Sequence, residues 1–537
     1  MFHFKLTSVA LLLNILCVTS PSFAGNNLPN KIGLYDASEF KLTTGKCTDC
    51  FVPSANLWYF ENEIIGVPQE KSRAASLNGN DTKKDIKNFY VKNKGQVDNS
   101  LPATVWLGSP DILEGKLNSN ATFITTSDGR KIQFEPTKKI DTNLSYYNEK
   151  SVEFFKDKEI IARGILKDGK FIARTMWLKD FNINKNLMIQ PLKNQKVIDL
   201  VRDKNISEKE MTTRVLWSKN GQKVSLADKP VLAFVLNGAQ GDDDEAHGGH
   251  FAVATGVFGK NGEWNNWLVN NFYGLNSFSE KGITASILPM DNYQADLNSG
   301  QSWYRPTYML VAVMKDKKVP QLYQESINRV FNHFYKHNFE YNHALANCTG
   351  INLETLRILG WNIPEKGGES TLKAVAALPF ITAKDQSLTN GKKAFNYLNA
   401  EMTNLYPLVG FDTVGNDLLK RVVENKPSNN FEKQLIEDIE AIIYIKLPQF
   451  PSSRDIGTAP VASLDEYMNR VPEDKAKWKI VPVDPRPMPD NLKNKNPLDW
   501  TFDFADYVAV IYSIIFLLIF ILVVSLLKKM ISKKIKQ

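Results

Sequence analysis

The stretch that decides the fold is residues 250–273, which read HFAVATGVFGKNGEWNNWLVNNFY. Two runs of β-branched, aromatic and small apolar residues flank Asn261-Gly262, a pair that is typical of a two-residue turn between antiparallel strands. The same pattern continues on either side, because residues 231–236 and 308–314 are also apolar runs of strand length. Short connections join these runs, so the sequence predicts an antiparallel sheet within a unit spanning residues 225–375.

The register of this hairpin decides which polar side chains meet. With a two-residue turn, His250 lies on the same face of the sheet as Asn271 and Tyr273. A slip of one residue brings Asn270 to that face instead. In either register, an asparagine side chain lies beside the imidazole.

A second polar cluster lies at residues 341–350, which read YNHALANCTG. Leucines and isoleucine follow at helical spacing until Gly360, a residue that commonly ends helices. Asn347 or Thr349 suits the N-cap, so Cys348 falls at the start of a buried helix. The helix dipole and a nearby imidazole favour the ionised thiol there, which predicts a reactive cysteine.

These features together resemble the circularly permuted branch of the NlpC-type, papain-like fold, to which the lecithin:retinol acyltransferase-like proteins belong. The shared features are a histidine that opens a strand, a polar residue on the next strand, and a later Asn-Cys at a helix start. The resemblance implies that Cys348 is the nucleophile, that His250 is the general base, and that Asn271 orients the imidazole. It spans residues 250–363 and lacks the His or Glu that the acyltransferases carry after Asn-Cys-x.

The implied function is a cysteine hydrolase or acyltransferase acting on amides or esters, with no cofactor and no metal ligand set. Its substrates are small molecules, lipids or peptides, such as the peptides and lipids of a cell envelope. The accessory residues of the predicted site are His247, Asn270, Asn347, His343 and Tyr273.

Two alternatives stay open at this point. Residues 242–250 read DDDEAHGGH, and this acidic run with two histidines suits a metal-dependent hydrolase. No known metal-binding spacing supports it, since such a run is usually a solvated loop. The third class is a non-catalytic module that binds envelope components, and it becomes the better interpretation if Cys348 is inert.

The N-terminal residues predict export. Residues 1–24 carry one charge at Lys5, an apolar run over 9–18 and small residues before a cleavage site after Ala24, which is the pattern of a signal peptide. Residues 25–100 form a lead-in whose Cys47 and Cys50 are close enough to close a small disulfide loop. That pairing leaves Cys348 as a free thiol.

A small β-barrel domain is predicted over residues 101–190. Strand-like runs at 160–166 and 171–177 flank the turn Asp168-Gly169, and similar runs lie at 122–126 and 131–134. The strand lengths suit a barrel resembling an OB-fold. After the papain-like unit, residues 376–447 read as a helical extension, and proline-rich residues 448–503 read as a semi-rigid stalk.

The C-terminal residues predict a membrane anchor. Residues 507–527 carry no charge and, as a helix of 1.5 Å per residue, extend about 31 Å, enough to cross a bilayer. Five lysines follow within 528–537, so this tail is expected in the cytoplasm and the bulk of the chain in the periplasm or outside the cell. The predicted location is the inner membrane, with a single pass.

Charge excludes nucleic acid as a partner. The chain carries a net charge of +8, of which the tail supplies five lysines and the signal peptide supplies Lys5, leaving +2 for the exported part. Phosphate binding needs a concentrated basic surface. The complete prediction is therefore an α+β fold. An antiparallel-sheet papain-like domain follows a small β-barrel-like domain and precedes helices, a proline-rich stalk and one C-terminal transmembrane helix.

Overall fold

A computed structural model describes most of the chain between residues 111 and 451. The described residues are 111–138, 147–183, 187, 189–203, 210–221, 223, 225–238, 249–272, 285–335 and 341–451, with short pieces at 65–68, 86–88, 90–91 and 104–107. All structural statements below concern these residues.

The described residues form fourteen strands and ten α-helices, besides the helical pieces at 86–88 and 90–91. The strands are β1 Ile65–Pro68, β2 Thr104–Leu107, β3 Asp111–Leu117, β4 Phe123–Thr125, β5 Lys131–Pro136, β6 Glu159–Lys167, β7 Lys170–Leu178, β8 Thr212–Ser218, β9 Pro230–Asn237, β10 His250–Val257, β11 Leu268–Phe272, β12 Ala285–Pro289, β13 Thr307–Met314 and β14 Ile439–Leu447. The helices are α1 Glu149–Phe155, α2 Val197–Arg202, α3 Met290–Ala295, α4 Lys318–Tyr335, α5 Cys348–Leu359, α6 Thr371–Asp385, α7 Leu388–Asn399, α8 Met402–Leu405, α9 Pro407–Glu424 and α10 Asn430–Asp438. Short 3₁₀ turns lie at Lys179–Phe181, Lys219–Gly221 and Gln301–Trp303.

The main sheet has nine strands in the order β2-β1-β12-β11-β10-β9-β13-β14-β8, and all its pairs are antiparallel. Its central strands are buried along their whole length because both faces are covered. Helices α4 and α9 pack on one face, where Phe331 stacks on Phe272. Helix α3 packs on the other face, where Tyr293 bonds Asn237.

The hairpin β10–β11 has the predicted register. Val253 pairs with Asn270 and Thr255 pairs with Leu268, which is the predicted alignment of the two strands. The turn differs from the predicted two-residue turn, because the Gly259 N–H donates to the Glu263 carbonyl at 2.8 Å and so closes a loop of three residues. Gly262 has a positive φ of 79°, a conformation that glycine adopts at no steric cost. The prediction of the register is therefore confirmed.

Five further strands close into a barrel in the order β3-β4-β5-β7-β6. All neighbours are antiparallel except β5 and β7, which run parallel. The hairpin β6–β7 turns at Asp168-Gly169, where both residues have positive φ. The barrel lies within residues 101–190, where the sequence predicts a small barrel, and its likeness to an OB-fold stays a prediction.

Two buried ion pairs join the barrel to the sheet. Arg163 on β6 donates to Asp291 at 2.6 Å, and Arg174 on β7 donates to Asp296 at 2.5 Å. All four side chains are buried, so each charge depends on its partner for solvation. One continuous apolar core runs through the barrel and the main sheet, and it fixes the two against each other.

The predicted fold is wrong because it includes a C-terminal transmembrane helix. None of the helices within the described ranges is both long enough and apolar enough to cross a bilayer. The segment 507–527, on which that prediction rested, lies outside the described residues. The architecture that the structure does have is α+β, with a five-stranded barrel and a separate sheet with helices.

Two other segments differ from the prediction. The interval 376–447 is not helical throughout, since β14 inserts between β13 and β8 in the main sheet. The predicted stalk begins as packed structure, because Phe450 is buried against Trp303 with ring centroids 5.0 Å apart. The lead-in, for which the sequence predicts a few short strands, supplies β1 of the main sheet. The signal peptide 1–24, Cys47, Cys50, the rest of the stalk and the tail 528–537 lie outside the described residues.

Candidate active site

His250 opens strand β10 and is held by an asparagine of the neighbouring strand. Its Nε2 lies 2.7 Å from Oδ1 of Asn271, and both side chains are buried. Because an amide oxygen only accepts, the neutral ring carries its proton on Nε2 and its lone pair on Nδ1. The bond therefore fixes both the ring orientation and the tautomer that a base requires.

Cys348 is the first residue of helix α5, and Asn347 caps that helix. Oδ1 of Asn347 accepts from the amides of Thr349 and Gly350 at 3.0 and 2.9 Å, and its carbonyl accepts from Ile351. Nδ2 of Asn347 donates to the carbonyls of two flanking segments, which anchors the cap. The role of Asn347 is thus to place Cys348, and the cap uses the amides after Cys348 rather than that of Cys348 itself.

The sulfur of Cys348 lies against the peptide that joins His250 to Phe251. The backbone N–H of Phe251 donates to it, as does the hydroxyl of Tyr341, while Oγ1 of Thr349 lies 3.9 Å away. This contact joins the start of helix α5 to the strand that His250 opens, whereas the imidazole itself bonds Asn271 on the face of the sheet away from α4. The nucleophile and the base predicted from the sequence therefore come from elements that meet at the start of β10.

Burial raises the pKa of the Cys348 thiol, although the Phe251 amide, Thr349 and Tyr341 act in the opposite direction. The sequence predicts that the helix start favours the thiolate, and burial acts against that stabilisation. Desolvation disfavours the thiolate more strongly than the helix start and its donors favour it. A proton acceptor is needed to make this sulfur nucleophilic.

Tyr341 is a site residue that reasoning from the sequence did not assign. It lies two residues before His343 in the loop that leads into α5, and the two rings are 6.3 Å apart. The exposed His343 in turn lies 6.4 Å from the ring of Tyr397 on α7. His343 thus lies at the outer side of the site rather than against the sulfur, and the position of Tyr341 before Asn-Cys was the available signal.

Asn270 has a different role from Asn271. Its Nδ2 donates to the Val253 carbonyl and to Oε1 of Gln324, and its Oδ1 accepts from the same glutamine on α4. Neighbouring residues of a strand point to opposite faces, so Asn270 faces α4 while Asn271 faces His250. Of the two asparagines that the sequence left open, Asn271 contacts the imidazole.

A buried polar network supports the histidine from the opposite strand. Asn237 pairs with His250 across β9 and β10, and its Oδ1 accepts from the hydroxyl of Tyr293. Nδ2 of Asn237 donates to Thr307 at 2.7 Å. The rings of His250 and Tyr293 are 6.2 Å apart. Polar groups that satisfy one another in this way hold the start of β10 in one geometry.

Several predicted site residues lie outside the described part of the chain: His247, Tyr273 and the acidic residues 242–245. Among the residues that are described, no group of three or more histidine, cysteine, aspartate or glutamate side chains is arranged to hold a metal ion.

The groups found at these elements are a buried thiol with hydrogen-bond donors at its sulfur, and an imidazole of defined tautomer that is bonded to an asparagine. Such a set suits acyl transfer through a thioester. Comparison of the chain with protein families, with curated proteins and with solved structures gives no match.

Proposed function

We propose that this protein is a papain-like cysteine hydrolase or acyltransferase that acts on amide or ester bonds. The observation that carries the proposal is the contact of the Cys348 sulfur with the Phe251 amide, directly beside a histidine whose Nε2 is bonded to Asn271. A buried cysteine that served only in packing would need neither an oriented imidazole nor polar donors around its sulfur. The predicted signal peptide supports action outside the cytoplasm.

The reaction begins with proton transfer from the thiol. Nδ1 of His250 takes the proton of Cys348 as Sγ attacks the carbonyl carbon of the substrate, and the imidazolium that forms is stabilised by Asn271. The bond from that carbon to the leaving nitrogen or oxygen then breaks, and the leaving group takes the proton from Nδ1. Water or another acceptor attacks the thioester in the second half of the reaction, and this restores the thiol.

Two donors suit the negative oxygen of the tetrahedral intermediate. The backbone N–H of Cys348 points along the helix start and is not used by the Asn347 cap, whose oxygen accepts from Thr349 and Gly350. The hydroxyl of Tyr341 already lies at the sulfur. Donors fixed before the reaction stabilise charge without reorganisation, which is the main source of rate in such sites.

The test is acylation of the chain by p-nitrophenyl esters of short and long acyl chains, followed by intact mass spectrometry. We expect one acyl group on Cys348 in the wild type and none in Cys348→Ala. His250→Ala should slow acylation by about 10²–10⁴-fold, the range for loss of a general base. A chelator should leave the rate unchanged. If no acyl group forms on Cys348, or if His250→Ala acylates as fast as wild type, the proposal is wrong.

A further inference from the structure

Helices α6 and α7 form a hairpin that projects from the unit carrying Cys348. Ser370 and Ser387 cap the two helices with their hydroxyls, and Gln386 makes the turn between them with a positive φ. Gly391 lets α7 approach α6 closely, since a Cβ there would lie 2.5 Å from the carbonyl of Leu378. The inner face of the hairpin is thus closed by its own packing.

The outer face of α6 is apolar and exposed. Leu372 and Phe380 leave 79% and 66% of their surface accessible, which makes them two of the most exposed large apolar side chains among the described residues. Ala376, Pro379 and Ala383 are also exposed and complete a stripe at helical spacing on the same side of the helix. We call residues 372, 376, 379, 380 and 383 the α6 stripe. Isolated apolar residues on a surface are ordinary, whereas a contiguous stripe marks a contact surface.

Positive charge borders the stripe. The hairpin from Thr371 to Asn399 contains four lysines and one aspartate, which gives it a net charge of +3. Lys373 and Lys384 lie on α6 at the edge of the stripe, and Lys393 lies exposed on α7. Asp385 accepts from Asn390 within the hairpin at 3.1 Å. Lysines of this kind extend their charge outward while their stems cover apolar surface.

The hairpin adjoins the candidate active site. Tyr397 on α7 contacts His343, which contacts Tyr341, whose hydroxyl bonds the Cys348 sulfur. The loop between His343 and Cys348 adds Leu345, which is 61% exposed. The hairpin therefore lies beside the loop that leads to Cys348.

We propose that the α6 stripe docks on the surface of a lipid bilayer that contains anionic lipids. An apolar face bordered by lysines is the surface that enters the boundary between headgroups and acyl chains, with the lysines at the level of the phosphates. A protein partner would be favoured by several aromatic or arginine anchors at the centre of the patch, whereas this stripe has one aromatic residue, Phe380, and three of its five members are alanine or proline. This inference goes beyond the proposed function and does not depend on it.

The test is site-specific photocrosslinking in the full chain with Phe380→p-benzoylphenylalanine. The control is Phe123→p-benzoylphenylalanine, at a phenylalanine of barrel strand β4 that is 43% exposed. Both variants carry the same apolar residues 507–527, so any attraction of that segment to lipid is common to both. Each variant is irradiated with phosphatidylcholine vesicles, with and without phosphatidylglycerol, and lipid adducts are quantified by mass spectrometry.

We expect several-fold more lipid adduct at position 380 than at position 123, and a further rise with phosphatidylglycerol. Lys384→Glu with Lys393→Glu should abolish that rise while leaving the melting temperature within a few degrees. Equal adduct at the two positions overturns the proposal, as do crosslinks that join two copies of the chain. Leu372→p-benzoylphenylalanine provides a second position, so poor folding of one variant still leaves the proposal open to refutation.

Discussion

Replacing Asn271 by leucine removes the acceptor of the His250 Nε2–H and leaves the size of the side chain nearly unchanged. The bond of 2.7 Å is buried, so no solvent replaces the lost oxygen. Asn270→Leu is the matched control, because that residue is the next asparagine of the same strand and bonds Gln324 instead of the imidazole. The comparison separates support of the histidine from the general effect of a buried polar-to-apolar change.

The expected size follows from the charge of the ring. A neutral hydrogen bond contributes about 0.5–1.5 kcal/mol and one to a charged group about 1.5–3 kcal/mol, so Asn271 stabilises the imidazolium over the imidazole by about 1–1.5 kcal/mol. At 1.36 kcal/mol per factor of ten, the population with a Cys348 thiolate and a protonated His250 falls roughly five- to tenfold in Asn271→Leu.

The assay is the rate of alkylation of Cys348 by iodoacetamide at pH 7, followed by peptide mass spectrometry, because only the thiolate reacts. Asn271→Leu should react roughly five- to tenfold more slowly than wild type, and Asn270→Leu should stay within about twofold. Asn271→Asp restores an acceptor and should react at least as fast as wild type. Equal rates in the two leucine variants, with unchanged melting temperatures, would refute the assignment of Asn271.

The remaining predictions concern ionisation and packing. Because burial raises the pKa of Cys348, alkylation of the wild type should keep accelerating with pH past about 8.5, and a plateau between pH 5 and 8 would contradict this. Arg163→Met should destabilise the fold to urea by about 3–5 kcal/mol, and Arg163→Met with Asp291→Leu should recover at least half of the loss. Burial raises the pKa of Asp291 in the folded protein. In Arg163→Met, the contribution of Asp291 to the free energy of unfolding is therefore fully present below its unfolded pKa, near 3.9, and is lost as the pH rises through its folded pKa. Gly256→Ala should cost about 1–3 kcal/mol in unfolding free energy, because a Cβ there meets the ring of Trp267.

The parts of the site that the sequence predicted are those set by local rules. The two apolar runs around Asn261-Gly262 predict the register of β10 and β11, and the register brings His250 to the face of Asn271. An asparagine before a helical pattern predicts the cap, and the cap positions Cys348. Both inferences span only a few residues, so they need no knowledge of distant contacts.

The parts that failed depend on contacts between distant residues. Strand β14 follows a helical pattern directly, and only its pairing with β13 and β8 makes it a strand. The pKa of Cys348 follows from how completely the surrounding elements exclude water, which the local motif does not encode. Tyr341 was missed for a related reason. It lies in a loop, and its hydroxyl contacts the Cys348 sulfur only because that loop folds back onto the start of the helix.

A thiol that is neutral at rest is compatible with catalysis, and it favours one order of events. The nucleophilicity of a thiolate rises with its pKa, so the buried Cys348 sulfur is the stronger nucleophile once its proton has gone. In the proposed mechanism, the donors from Phe251 and Tyr341 stabilise that charge as it forms, and the lone pair on Nδ1 of His250 receives the proton. Sulfur attack and proton transfer therefore belong to the same step.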